Sequence, residues 1–343
     1  MFRVLAAYAF FAALLMPGAP AAAAQAKIEF ISRASVMEWI DTYRAKPNPA
    51  RLPAAVRALS EAGALRDPET AGYFVGFTAG VLGANPKRAE SLVHKMLPLP
   101  AADQWFVVRA IAYSGLPAWQ SLLSRVADKV PARRVMVDQY LTGKVPTLDK
   151  IELDKSPTFL ETVRLQFGGK PEIPPVSFGH NPELLDTLWG VYFATGDYRP
   201  VWRVITMLPW SKDRDSVPRL TAGSAAKYTL ANNAARYPDI LAMLKDKVRY
   251  QPEEVAPILT DVIASAEAND AATIRKAQLA AIEEIKRKGP GHQRDMKLWG
   301  YVGQGAIAVG CIAAATVSLT VLGLPCVIGG AVSSAAINYY AAQ

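Results

Sequence analysis

Three histidines, two cysteines and a few serine, lysine and glutamate residues come nearest to chemistry in this 343-residue chain. His94, His180 and His292 are far apart, and none has a second ligand at metal-binding spacing. His180 and Glu183 make an H-x-x-E pair, but Pro182 lies inside it and the remaining ligands are missing. Ser224-Ala225-Ala226-Lys227 has the S-x-x-K spacing, in which a lysine one helical turn away can take a serine's proton. The S-D-N and K-T-G elements that complete such a site are absent, and residues on a helix surface explain the match. There is no P-loop, no G-x-S-x-G and no calcium loop. The reading is therefore no catalytic residue, no metal, no cofactor and no enzyme.

Three short stretches resemble known families. Ser224 to Lys227 is similar to the nucleophile motif of penicillin-interacting enzymes, and Glu90-Ser91 resembles the Glu-Ser of lytic transglycosylases, which also carry helical superstructures. The G-L-M-Q stretch that transglycosylases place nearby is missing. A cell-wall hydrolase using Glu90 or Ser224 is thus the third functional reading. Leu185-Asp186-Thr187-Leu188-Trp189, running into Phe193-Ala194-Thr195-Gly196-Asp197, resembles a block of exported bacterial helical-repeat proteins of TPR or HEAT type. That resemblance implies an architecture and a bacterial origin, and no activity.

The elements behind these residues read as helix. Apolar residues recur three and four apart, strand-like alternation is scarce, and Ala, Leu and Arg are plentiful. One unit recurs: an aromatic, apolar helix, a short turn with Gly, Asn or Pro, and an amphipathic helix. Copies run from Ala71 to Pro98, Trp105 to Val126, Leu184 to Pro209 and Ala225 to Val248. The first and third both end in Met-Leu-Pro. The breaks fall at Ala84-Asn85-Pro86, Gly115-Leu116-Pro117, Gly196 to Pro200 and Arg236-Tyr237-Pro238. A lone hairpin cannot bury its apolar face, so stacking is expected, giving an α-solenoid-like array. The alternative is an irregular all-α domain. Trp105, Trp119, Trp189 and Trp202 fall inside the units and are expected in the core.

The expected organisation is a signal peptide over 1–26, a first hairpin region over 27–142, a proline-rich linker over 143–182, a second hairpin region over 183–288, and a basic hinge with a hydrophobic tail over 289–343. Arg3, the apolar run Val4 to Met16 and the A-x-A sites near Ala24 make the signal, and so an exported, periplasmic protein. Asp270 to Lys288 reads as a helix with Ile274, Ala277, Ala281 and Ile285 on one face.

From Leu298 to Gln343 no residue is charged. As one helix this stretch would be about 69 Å long at ~1.5 Å per residue, against a bilayer core of about 30 Å. Gly323-Leu324-Pro325 breaks it into two arms of workable spanning length, so a membrane hairpin is predicted. Small residues spaced for close packing lie on both arms: Ala306, Gly310, Ala314 and Ser318, then Gly329, Gly330, Ser333 and Ser334. Trp299, Tyr301, Tyr339 and Tyr340 would share one membrane interface. Lys286, Arg287, Lys288, Arg294 and Lys297 form a basic cluster beside it, suited to anionic lipid. In that geometry Cys311 and Cys326 are too far apart to bridge within the chain, leaving buried thiols or an interchain bond. The alternative is a soluble hairpin buried under the repeats.

Net charge is +8 with no run of five like charges, which favours anionic surfaces over a nucleic-acid groove. The leading functional reading is a non-enzymatic, membrane-associated scaffold that binds a protein partner on the concave side of the array, with self-association through the tail as an option. The second is a membrane-active or pore-forming protein acting through the tail.

Overall fold

The computed structural model describes residues 29–153 and 182–269, apart from 69 and 215, and a few positions between 276 and 284. The expected signal sequence, most of the proline-rich stretch, the basic cluster, both cysteines and the hydrophobic hairpin lie outside the described residues. Within them the chain is all-α, as its periodicity requires, with twelve α-helices and no strand.

The first seven are α1 (Arg33–Tyr43), α2 (Leu52–Glu61), α3 (Gly72–Ala84), α4 (Pro86–Met96), α5 (Gln104–Tyr113), α6 (Trp119–Val126) and α7 (Arg134–Leu141). The remaining five are α8 (Pro182–Thr195), α9 (Arg199–Thr206), α10 (Val217–Arg236), α11 (Pro238–Lys247) and α12 (Ala256–Glu267). Lys276, Leu279, Ala280, Glu283 and Glu284 are also helical, inside the helix expected over 270–288.

Local sequence sets the boundaries. Ser32 and Ser35 close a reciprocal capping box on α1, each side chain meeting the other's backbone N–H at 3.2 Å. Proline stands in the first turn of α4, α9, α10 and α11, where its missing N–H would have had no helical acceptor. All four turns read from the sequence are helix breaks. At Gly196 the backbone takes φ +70°, a left-handed value that glycine adopts without strain.

Successive helices pair: α1 with α2, α3 with α4, α5 with α6, α8 with α9, and α10 with α11. Alternate helices also touch, α2 against α4, α3 against α5, α8 against α10, and α10 against α12. The second helices are amphipathic. In α4, Ala89, Leu92, Val93 and Met96 turn inward, and in α9 Val201, Val204 and Ile205 do so. Met96 and Met207, from the two Met-Leu-Pro endings, are both buried.

The two helices that open the Met-Leu-Pro units differ from the others. Gly72 to Leu82 of α3 is buried without interruption, and so is Leu184 to Ala194 of α8 except for Val191. An apolar helix covered on every side belongs in the middle of a protein. These two helices pack along each other, although nearly a hundred residues separate them. Their backbones approach closely through Gly72, Gly76 and Gly80 of α3 and Gly190 of α8. A Cβ on Gly76 would overlap the Thr187 carbonyl, and one on Gly190 would overlap the Tyr73 carbonyl. The halves on either side of the proline-rich stretch therefore share one core. The described start of that stretch is fixed to α9, where Arg203 donates to the carbonyls of Leu148 and Ile151 at 2.7 and 2.6 Å.

Candidate functional site

The densest polar chemistry lies where α1 meets α8 and the α10–α11 turn. Arg44, one residue past α1, donates to the Tyr192 hydroxyl at 2.6 Å and pairs with Asp239 at 2.7 Å. Tyr192 and Tyr198 donate to the same Asp239 oxygen at 2.8 and 3.3 Å. Beside it, Asp41 of α1 pairs with Arg236 at 2.7 Å and accepts from the Tyr237 hydroxyl. The Arg44 guanidinium also lies 4.6 Å from the Tyr192 ring centre and 5.2 Å from that of Tyr237, within cation–π range. The two groups are complementary. Arg44 follows α1 and reaches Asp239 at the start of α11, while Asp41 within α1 reaches Arg236 at the end of α10.

Burial pushes the Asp239 carboxyl up, but hydrogen bonds from Arg44 and Tyr192 outweigh this and hold it below its ordinary 3.8. Burial raises the Tyr192 and Tyr237 hydroxyls, and their bonds to Asp239 and Asp41 raise them further. Both phenols stay protonated and act as donors. Every charge here meets an opposite charge, so the arrangement holds helices together and offers no idle acid or base.

A second such point joins α5 to α8. Arg109 pairs with Glu183, and burial and Arg109 act on the Tyr113 and Tyr140 hydroxyls, whose rings meet edge to face at 6.2 Å. Burial is the larger effect and raises both tyrosines. Glu183, half of the H-x-x-E pair, is thus engaged by an arginine, and His180 lies outside the described residues. Among the described residues no three His, Cys, Asp or Glu side chains group as a metal-binding set.

The other sequence candidates are dispersed. Glu90 is an exposed residue of α4 whose two oxygens accept from Arg125 of α6 at 2.8 and 3.1 Å. That bond holds its carboxyl below the ordinary range, the reverse of what a general acid needs. His94 lies one turn on, with its Nδ1 2.7 Å from Lys129 Nζ. Ser224 is fully buried in α10, and Lys227 pairs with Asp261 of α12 at 3.3 Å. Trp105 and Trp189 are buried as expected, with their N–H groups on the Leu65 carbonyl and the Thr229 hydroxyl. Trp119 and Trp202 are only half-buried, because they sit on short second helices at the edge. The block Leu185 to Trp189 is buried against α3, so the residues behind the family resemblance are packing residues.

Among the described residues a depression lies between the end of α1 and the start of α2. It is about 440 Å³ and is lined by Trp39, Thr42, Lys46, Pro47, Asn48 and Arg51. Sequence reading did not point to it. Its signal was local: two cations and an asparagine in the proline-rich turn Lys46-Pro47-Asn48-Pro49-Ala50-Arg51, close behind a tryptophan. The Arg44–Asp239 junction carried no comparable signal, since its partners are 195 residues apart.

No protein-family model, curated protein or solved structure matches this chain. Among the described residues no helix is long and apolar enough to cross a membrane.

Proposed function

We propose that the chain is a non-enzymatic, exported scaffold of the bacterial envelope, built as an array of helical hairpins, that binds a protein partner and is held at the membrane by its C-terminal segment. The packing of alternate helices, α2 on α4 and α3 on α5, carries this reading. It is the arrangement by which helical repeats offer an extended face to a partner. The face of α3 turned to α8 is covered, so the partner's side is the layer of α2, α4 and α6 and the turns beside it. Export and membrane attachment rest on the sequence: the Arg3-to-Ala26 leader, the basic cluster Lys286 to Lys297 and the uncharged hairpin Leu298 to Gln343.

Carbonate extraction of membranes from cells making the full chain, or a form lacking 298–343, tests the reading. The full chain is expected in the membrane pellet, and the shortened form in the soluble fraction, folded and still able to bind its partner. Vesicle leakage by the full chain that vanishes with the tail would replace the scaffold by a membrane-active protein. Peptidoglycan cleavage abolished by Glu90→Gln or Ser224→Ala would replace both.

A further inference from the structure

The outward face of α4 is a ridge of positive charge. Ala89, Leu92, Val93 and Met96 turn to the core, so Lys87, Arg88, Ser91 and Lys95 point to solvent, and all four are exposed. Lys87, Ser91 and Lys95 stand one turn apart in line, with Arg88 beside them. Neighbouring helices add to the ridge. Exposed Arg57 of α2 donates to the Lys95 carbonyl at 2.6 Å, and Lys129, just past α6, has its Nζ 2.7 Å from His94 Nδ1. None of Arg57, Lys87, Arg88, Lys95 and Lys129 forms an ion pair among the described residues. Acids nearby are few. Glu90, the one acid of α4, is taken by Arg125, Asp128 is taken by Arg134, and Glu61 closes α2. The lysines of α10 and α11 are matched instead: Lys227 with Asp261, Lys245 with Glu267 and Lys247 with Asp246.

The layout of these charges selects their partner. From Lys87 to Lys95 they run along about 12 Å of helix at ~1.5 Å per residue. They line a crest and not a cavity, so a single small anion finds no cradle. A protein interface is centred on apolar or aromatic groups that lose water, and this face presents none. An anionic leaflet needs only cations laid out over a surface, each strengthening association about fivefold. We propose that the α4 ridge rests on anionic lipid head groups, so that the helical body lies along the membrane by a second contact, separate from the C-terminal segment. The proposal depends on the envelope reading for the presence of a membrane. It reserves the crest of α4 for lipid and leaves the turns and the flanks of α2 and α6 to the protein partner.

The test is lysine acetylation of the purified full chain, read residue by residue by mass spectrometry. The chain is mixed with vesicles of phosphatidylcholine alone, or with about 30% phosphatidylglycerol added. Lys87 and Lys95 are expected to react about tenfold more slowly on the anionic vesicles than on the neutral ones. Exposed Lys212 and Lys245 serve as controls and are expected to react equally on both. The protection is expected to vanish in about 1 M salt, where charges are screened within about 3 Å. Lys87→Gln with Arg88→Gln, both at exposed positions, is expected to cut the protection at Lys95 to about twofold. Equal reaction of Lys87 and Lys95 on the two kinds of vesicle overturns the proposal, and so does protection that survives the salt or the double variant. Carbonate retention with unprotected lysines would sink the ridge alone. Salt-sensitive protection in a chain that carbonate strips from the membrane would sink the anchor alone.

Discussion

The seam between α3 and α8 and the junction between α1 and α11 both tie the first half of the chain to the second, by opposite means. The seam is made of absent atoms. Glycines let two apolar helices meet backbone to backbone, and the pair is buried on nearly every side. The junction is made of atoms in excess: two arginines, two aspartates and three tyrosines meet there, at the edge of the core. The contrast teaches where each is vulnerable. A seam fails when something is added, and a polar junction fails when a partner is taken away.

The largest effect is expected at the seam. Alanine is the better helix former by about 1 kcal/mol. Against that, a methyl on Gly76 or Gly190 meets main-chain atoms of a buried helix that has nowhere to move, and overpacking of this kind costs about 3 kcal/mol or more. Gly76→Ala and Gly190→Ala are therefore expected to be strongly destabilised in urea denaturation, and Gly76→Val to yield no folded protein. A neutral Gly190→Ala would show that the helices do not approach this closely.

The next effect is at the junction. Arg44→Met leaves Asp239 without its cation and the Tyr192 hydroxyl without a donor, while the Tyr192–Asp239 bond stays. Asp239 is 42% exposed and regains water, so the loss is expected at the low end for a charged hydrogen bond, about 1.5 kcal/mol. A loss as large as that of Gly76→Ala would remove the distinction between the two regions.

Acid sharpens the same contrast. The Asp239 carboxyl is held below 3.8 in the folded chain, so its contribution is full above that value and is lost as pH falls further. The penalty of Asp239→Asn is accordingly expected to be full at pH 7 and to shrink below about pH 3.8, while that of Gly190→Ala stays constant. A penalty for Asp239→Asn that does not change with pH would contradict the assignment. The smallest effect is at Glu90. It lies on the surface with Arg125, so Glu90→Gln should leave the denaturation midpoint within error of the original.

Much of the fold was legible because its signals are local. Asn85-Pro86, Gly115 to Pro117, Gly196 to Pro200 and Tyr237-Pro238 end helices by their own backbone constraints, and they do so here. The Met-Leu-Pro endings marked two equivalent units, and their first helices turn out to lie side by side. The glycine spacing from Gly72 to Gly80 was equally visible, yet small residues at that spacing were read only in the tail, where lipid gives them an obvious purpose. The same spacing works between any two helices that need to come close, and α3 is apolar enough to need it. The junction was not legible. Nothing near Arg44 indicates that its partner is Asp239, because pairing across 195 residues is decided by the packing of α1, α8 and α11 and not by spacing.

The most direct test of the account is native-state hydrogen exchange on the full chain, comparing α3 with α8. If the seam is the centre of one body, the amides of Phe74 to Leu82 and of Leu185 to Phe193 are expected to exchange only on global unfolding, with the same free energy and the same response to denaturant. Separate opening of the two helices, with α8 exchanging while α3 stays protected, would contradict a single body built on their contact.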